Sequence, residues 1–213
     1  MMRKLYSLLF ILLSFVLLTS SVRYLFNALN VGAAEKRVNT LQGSSAESLG
    51  HLDLTLKLPE SNVLITTAHS LNAFAHLLRW QGYANNDLES TSLANELFVS
   101  SSYLRPTWSN THAELAKIAM SYGDELESES RMLKSNEFGP HLYTTLSLNV
   151  DYVYSNWLSV EDAQRIEATT QLLTLAKSWR YRTELNKMIF YSTGKQRICN
   201  MLAFNKLKFD ACL

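Results

Sequence analysis

The sequence has few of the residues that form tight turns, and its charges are balanced. Its 213 residues include only 7 Gly, 3 Pro and 2 Cys. The scarcity of Gly argues against Gly-rich phosphate-binding loops and against β-sandwiches with many tight turns. Lys and Arg total 20 against 19 acidic residues, so no excess of positive charge draws the chain towards nucleic acid. The length suits one domain with an anchor and is short for two ordinary domains.

The N-terminus carries a long apolar segment. After Arg3 and Lys4 the chain has no charged residue from Leu5 to Val22, and these 18 residues are just long enough to cross a bilayer as a helix. The basic flank predicts a cytoplasmic N-terminus and an exported remainder. A cleaved signal peptide is the alternative, but its cleavage sites match the usual pattern poorly. We therefore predict that residues 1–34 form a cytoplasmic stub and an uncleaved transmembrane anchor.

The only two cysteines lie near the C-terminus. Cys199 and Cys212 are 13 residues apart, and no other cysteine competes for either of them. In an oxidising compartment this arrangement predicts a disulfide, and such a bridge stabilises by about 2–4 kcal/mol. The alternative is two unpaired thiols. A metal site needs more ligands than this pair supplies.

Residues 35–60 predict a linker followed by an extended arm. Residues 35–50 are poor in apolar side chains and include Gly43-Ser44-Ser45. From His51 to Leu58 leucines alternate with polar residues, which is the period of a strand, and Pro59 ends the pattern. A single strand has no sheet to join. The arm therefore packs on its own domain or adds to the sheet edge of a partner.

From Ser61 onward the apolar residues recur with the period of a helix. The spacing predicts helices over residues 61–82, 88–104, 108–122, 124–135, 141–157, 160–180, 182–193 and 195–205. Capping boxes are expected at Thr111 with Glu114 and at Ser159 with Asp162, and Gly123 suits a helix C-terminus. In the second helix we expect Leu93, Leu97 and Leu104 to form the buried stripe.

The order of these helices predicts the fold class. Consecutive helices form units of about 34 residues if helix 88–104 pairs with 108–122 and helix 124–135 pairs with 141–157. This is the length of a tetratricopeptide repeat. We therefore predict an all-α protein in which an N-terminal transmembrane helix precedes a TPR-like antiparallel helical-repeat domain over residues 61–213.

The sequence contains no recognisable catalytic or metal-binding motif. The five histidines lack a chelating spacing, and the acidic run Asp124, Glu125, Glu127 and Glu129 predicts a solvated helix face. The Gly-x-Ser-x-Gly motif fails at Glu47, which replaces the second glycine. We therefore expect a protein that is not an enzyme and uses no metal or cofactor.

The C-terminal region combines basic and aromatic residues. Eight basic residues lie between Lys177 and Lys208, with Glu184 as the only acid among them. Aromatic rings stack on sugar faces, and Arg binds carboxylate or phosphate. The candidate contacts to an anionic glycan or a partner are Lys177, Trp179, Arg180, Arg182, Lys187 and Arg197. The alternative is that the aromatic residues are core and the cations are solvated.

An ordered series of short motifs resembles a known family. The series is Leu104-Arg105-Pro106-Thr107-Trp108, Ala113-Glu114-Leu115-Ala116, Glu137-Phe138-Gly139-Pro140, Asn156-Trp157 and Ile198-Cys199. It is similar to the small VpsP-like proteins of bacterial exopolysaccharide and capsule gene clusters, over residues 90–213. The resemblance implies one inner-membrane span, a helical-repeat periplasmic domain and an accessory role in polysaccharide synthesis or export, without known catalysis.

These observations predict a non-catalytic scaffold anchored in the bacterial inner membrane, with its C-terminal domain in the periplasm. Its expected partners are proteins of a polysaccharide assembly or export machinery, and nucleic acid is not among them. The alternative is a periplasmic module that binds acidic polysaccharide through the basic and aromatic C-terminal segment.

Overall fold

The computed structural model describes residues 2–43 and 67–213, and this part of the chain is helical throughout, without a strand. Nine α-helices follow one another in the described ranges, with short 3₁₀ turns at Trp179–Tyr181 and Asp210–Cys212. They are α1 Met2–Gly43, α2 Ala68–Asn85, α3 Leu88–Leu104, α4 Ser109–Tyr122, α5 Glu125–Phe138, α6 Tyr143–Ser155, α7 Asp162–Lys177, α8 Arg182–Tyr191 and α9 Lys195–Phe204. The all-α prediction is confirmed. The arm predicted at 51–58 lies outside the described residues.

The helices form two compact units. Unit 1 is Met1–Pro106 and unit 2 is Thr107–Leu213. The boundary falls within the range 61–213 that the sequence analysis assigned to one domain. It lies at Pro106, where the missing amide proton and the fixed φ angle end α3 and prevent its continuation into α4.

In unit 1, the last part of α1 packs on α2. Val31, Ala34, Val38 and Leu41 recur at helical spacing and are buried, and they contact the α2 residues Ala73, Phe74 and Leu77. The linker predicted from residue 35 is therefore wrong for residues 35–43, which are helical. Val38 and Leu41 continue the apolar face begun by Val31, and burying that face keeps the segment helical.

The α2–α3 pair of unit 1 depends on small residues. The buried face of α3 is Ser90, Ala94, Phe98, Ser101 and Ser102, whereas Leu104, expected in the buried stripe, is 56% exposed. Ser101 Oγ donates to the carbonyl of Ala68 at 2.9 Å. A Cβ added to Gly82 would collide with the Thr91 side chain, so glycine permits the close approach of the two helices. Small side chains and the ring of Phe98 therefore form the buried face of α3, and Leu97 adds a partly buried contact to the core of unit 1.

Unit 2 is built from consecutive helices that pack in antiparallel pairs, α4 with α5 and α6 with α7. Gly123 adopts φ +73° between α4 and α5, which is the left-handed conformation expected at a helix C-terminus. The pairs predicted from the sequence are shifted by one helix, and the short Gly123-Asp124 turn brings α4 back onto α5. The predicted unit of 88–104 with 108–122 instead crosses the boundary between the two units.

Two predicted caps in unit 2 differ from the structure. α4 has Trp108 at its N-cap without a side-chain hydrogen bond, and Thr111 and Glu114 lie buried inside the helix. α7 has Glu161 at its N-cap, in a capping box with Gln164. α7 begins two residues later than expected, so Glu161 and not Ser159 is its N-cap, whereas α4 begins before Thr111 and has no side-chain cap.

The core of unit 2 lies between α6, α7, α8 and α9. Its fully buried side chains include Leu172, Leu185, Ile189 and Ile198. Cys199 and Cys212, the predicted pair, form a disulfide with a Cα–Cα distance of 5.4 Å, and both pack against this core. The bridge therefore ties the C-terminal 3₁₀ turn to α9.

Candidate membrane and binding surfaces

The first candidate functional surface is the N-terminal part of α1. This helix is long and apolar enough to span a membrane. Between Leu9 and Leu29 its large apolar side chains are exposed, with Phe10 at 70% and Leu18 at 64%. These 21 residues span about 30 Å, the thickness of the hydrocarbon core. Water does not favour an exposed apolar surface of this size, whereas lipid does.

The described side chains form no group of three His, Cys, Asp or Glu that could hold a metal ion. Three of the four described histidines contact other side chains, and His141 is exposed. His69 Nε2 lies 3.4 Å from Glu35 Oε1, His76 packs edge-on against Phe98, and the ring of His112 lies against Phe138. His51 lies outside the described residues. These contacts are typical of helix packing.

Three of the six candidate C-terminal contacts have structural roles. Arg182 donates to the carbonyl of Lys208 and covers the ring of buried Phe209 at 4.8 Å. Arg197 Nη1 donates to the carbonyl of Tyr154 at 3.1 Å, and Lys187 Nζ pairs with Glu184 Oε1 at 3.1 Å. Arg182 joins α8 to the C-terminal tail and Arg197 joins α9 to α6, whereas the Lys187–Glu184 pair lies within α8. The three cations are not assembled into one ligand site.

The other three candidates share one exposed turn, here called the Trp179 turn and defined as Lys177, Trp179 and Arg180. Trp179 is 89% exposed, and Lys177 and Arg180 are also exposed. The Arg180 guanidinium lies 5.8 Å from the ring centre of Tyr181. The structure therefore retains one aromatic ring between two cations, a smaller surface than the sequence predicted.

The Trp179 turn is followed by Tyr181, which packs on a partly buried tyrosine. Tyr143 of α6 stacks on Tyr181 with ring centres 5.3 Å apart. Burial raises the pKa of Tyr143, and the negative charge of Glu184 raises this pKa further. Tyr143 supports the residue that follows the turn through the contact between the two rings.

A second surface in unit 2, which the sequence analysis did not find, is a groove between α5, α6 and α7 with a volume of about 150 Å³. We call it the acceptor groove. Its polar lining includes Glu129, Asn149, Glu167 and Gln171, and its apolar lining includes Met132, Leu133, Val153 and Ala168. No Lys, Arg or His is among the lining residues of this fully described unit.

Two amide oxygens in the acceptor groove have no hydrogen-bond partner. Asn149 Oδ1 and Gln171 Oε1 are both buried and unpaired. Their amide nitrogens are engaged, because Asn149 Nδ2 donates to Asn136 Oδ1 at 2.8 Å and Gln171 Nε2 donates to Glu167 Oε1 at 3.0 Å. Leaving a buried acceptor unpaired costs about 1–3 kcal/mol. Both oxygens are closed off from solvent, so they lie beneath the surface of the groove and not open to it.

The sequence contained only a partial signal for this groove. Glu129 belongs to the acidic run predicted as a solvated face, and Asp124 in that run caps α5 by accepting from the amide of Glu127 at 3.0 Å. Asn149 lies beside the apolar stripe of Leu146, Val150 and Val153, an unusual place for an amide. Glu167 and Gln171 are on a separate helix, so only the packing brings them to Asn149.

Comparison of this chain with protein-family models, curated proteins and solved structures finds no match.

Proposed function

We propose that this chain is a non-catalytic scaffold anchored in the bacterial inner membrane by α1, with its remaining helices in the periplasm. The observation that carries the proposal is the exposed apolar surface of α1 between Leu9 and Leu29, followed directly by packed helices. The disulfide between Cys199 and Cys212 supports an oxidising compartment. Arg3 and Lys4 support a cytoplasmic N-terminus.

The proposed link to a polysaccharide pathway is based on the motif series that resembles VpsP-like proteins. In the structure, residues of this series serve packing. Phe138 contacts His112, Gly139 ends α5 and lies so close to Ser109 that a Cβ would collide with it, and Trp157 packs on Tyr154. The proposed role in exopolysaccharide, capsule or O-antigen assembly or export therefore rests on the resemblance.

We also propose a TPR-like arrangement within this scaffold. Its support is the run of helix pairs α2–α3, α4–α5 and α6–α7, each joined by a short connection. Proteins built from such pairs expose extended surfaces to protein partners. An assembly protein of a polysaccharide machinery is the partner class that this architecture and the anchor would favour.

Gene deletion in the native host tests the proposed pathway. We expect less cell-associated or released polysaccharide, and restoration by the intact gene. A copy in which residues 2–29 are replaced by an unrelated membrane span should also restore it, because this exchange retains Val31 to Leu41 in unit 1. A copy with the same residues replaced by a cleaved signal peptide should not. Unchanged polysaccharide in the deletion strain, under conditions of normal expression, would refute the role.

A second function, direct binding of acidic polysaccharide, is favoured by the exposure of Trp179 between two cations. Lys177→Glu with Arg180→Glu should abolish retention of the protein on immobilised acidic polysaccharide. The matched control is Lys206→Glu with Lys208→Glu, which changes the charge equally outside the Trp179 turn. Arg182 is left intact because it covers Phe209. Equal retention of all variants would exclude this function for the turn.

A further inference from the structure

Two separate segments meet at one end of unit 2. The Trp179 turn directly precedes Arg182, the first residue of α8. Arg182 donates to the carbonyl of Lys208, four residues after the end of α9. The turn and the segment 204–208 therefore lie at the same end of the unit. We call this surface the basic end and define it by its exposed residues Lys177, Trp179, Arg180, Phe204, Lys206 and Lys208.

Two aromatic rings of the basic end project into solvent. Trp179 is 89% exposed and Phe204 is 84% exposed. At such exposure a ring stands out from the surface and does not line a cleft. Projecting rings suit a flat, extended partner that they can enter, and a soluble protein gains nothing by showing them to water.

The charge around these rings is positive. Residues 177–210 include eight basic residues and two acidic ones, Glu184 and Asp210. Glu184 Oε1 lies 3.1 Å from Lys187 Nζ, so its charge is already paired within α8. The four lysine and arginine side chains of the basic end are exposed. An anionic surface is the partner that complements this charge.

The basic end is held in place before any partner binds. Arg182 covers the ring of buried Phe209 at 4.8 Å, and the amide of Ala211 donates to Asn186 Oδ1 at 2.8 Å. The disulfide then ties Cys212 to α9. Because the tail is fixed beside the turn, contact with a partner orders little further chain.

The surface of a lipid bilayer combines the two properties that the basic end complements. Its anionic headgroups attract lysine and arginine, and the boundary below them accepts aromatic rings. The indole of Trp179 has an apolar body and one N–H donor, a combination that favours this boundary. The ring of Phe204 has no polar atom, so it gains more from acyl chains than from the hydroxyl groups of a glycan.

We infer that the basic end of unit 2 contacts the anionic surface of the bilayer that α1 spans, with Trp179 and Phe204 at the boundary between headgroups and acyl chains. The inference rests on the proposed anchor, because α1 keeps the chain beside this surface and raises its effective concentration there. It does not depend on polysaccharide.

The test uses the full chain, labelled with 5-fluorotryptophan, in phosphatidylcholine nanodiscs with or without phosphatidylglycerol. A trace of lipid with a gadolinium chelate on its headgroup increases the ¹⁹F relaxation of nearby rings. Trp157 is the internal reference, because it follows the far end of α6, whereas Tyr143 at the near end stacks on Tyr181. The two ends of this 13-residue helix are about 20 Å apart. Trp179→Phe and Trp157→Phe identify the two signals.

We expect the lipid-bound gadolinium to relax Trp179 more strongly than Trp157, and only in nanodiscs that contain phosphatidylglycerol. Lys206→Glu with Lys208→Glu should lower the equilibrium constant of the contact at least about tenfold and remove most of this difference. Lys134→Glu with Lys195→Glu makes the same change of charge on α5 and at the opposite end of α9, and should behave like the parent chain.

The contribution of the apolar ring is tested separately. Phe204→Ser should weaken the relaxation of Trp179 by the lipid. Leu158→Ser removes a side chain that is equally exposed, at 85%, next to Trp157. This control should leave the relaxation of Trp179 unchanged. An unchanged ¹⁹F shift of Trp157 in the Phe204 variant shows that unit 2 remains folded.

Three results would overturn the inference while the chain remains in the nanodiscs. The first is equal relaxation of Trp179 and Trp157. The second is the same relaxation of Trp179 with and without phosphatidylglycerol. The third is a shift of the Trp179 signal on addition of soluble polygalacturonate without relaxation by lipid, which would assign the turn to polysaccharide. A chain that does not co-purify with nanodiscs would refute the proposed anchor itself, and the inference with it.

Discussion

The two compact units obtain their cores in different ways. Unit 1 takes part of its core from the helix that also carries the apolar span, because Val31, Ala34, Val38 and Leu41 belong to α1. Unit 2 builds its core from its own helices and closes it with a disulfide. An apolar N-terminal helix is thus both a candidate anchor and a structural element of unit 1. Removing residues 1–34 would delete Val31 and Ala34 and damage unit 1 as well as the anchor.

The largest effect is expected from a cavity in unit 2. Leu172 is fully buried among core side chains of this unit. Leu172→Ala should lower the free energy of unfolding of unit 2 by about 2–5 kcal/mol, since it removes apolar contacts and leaves a cavity. Hydrogen exchange of the full chain in detergent micelles measures the two units separately. Equal loss of protection in unit 1 would show that the units unfold together.

Removal of the disulfide should have the next largest effect. Cys199→Ser with Cys212→Ser should destabilise unit 2 by about 3 kcal/mol, because the bridge limits the freedom of the unfolded tail. The described chain contains no free cysteine, so mild reduction of the parent protein should reproduce the result. Faster hydrogen exchange is expected first in α9 and the C-terminal turn, whereas hydrogen exchange in unit 1 should stay unchanged. Unchanged exchange in that region would contradict the structural role of the bridge.

The contribution of α1 to unit 1 can be separated from its membrane contact. Val38 is buried and Leu29 is 61% exposed on the same helix. Val38→Ala should destabilise unit 1 by about 1–2 kcal/mol through lost apolar burial. Leu29→Ala, the matched control, should leave hydrogen exchange in α2 unchanged. If the two variants behaved alike, the packing of α1 on α2 would be refuted.

The smallest effect is a pH dependence that arises from two tyrosines of unit 2. Burial raises the pKa values of Tyr143 and Tyr154 above the ordinary value of 10.0. Above about pH 10 the unfolded chain loses these protons while the folded chain keeps them, so stability should fall as pH rises. Urea unfolding followed by circular dichroism from about pH 8 to about pH 11 measures this slope. Tyr143→Phe should flatten it, whereas Tyr191→Phe, at a more exposed ring, should not.

Helix positions could be predicted from the sequence where the local pattern was complete. α3 spans Leu88–Leu104 as expected, because Asp87 caps its first turn and Pro106 stops it. The buried face of the same helix could not be predicted from its leucines. Contact with α2 buries the small side chains Ser90, Ala94 and Ser101 together with Phe98 instead.

The candidate sites also contain some features that could be predicted from the local sequence and others that could not. Trp179 could be identified from its basic neighbours, and the structure leaves it exposed. Arg182 and Arg197 belong to the same basic run, yet their partners are a buried ring and a carbonyl that are distant in sequence. Such partners leave no local pattern in the sequence. The cations that stay exposed could therefore not be distinguished from those that contact distant residues.

The amino-acid sequence alone determined the helical class, the exposed apolar helix at the N-terminus and the cysteine pair available for a disulfide. These features depend on composition and on periodicity within one segment. Only the tertiary structure decided which helices pair, where the two units divide and that Asn149 and Gln171 meet in one groove. Those features depend on which helix faces approach each other, and that approach is governed by small residues, turn lengths and burial across distant parts of the chain.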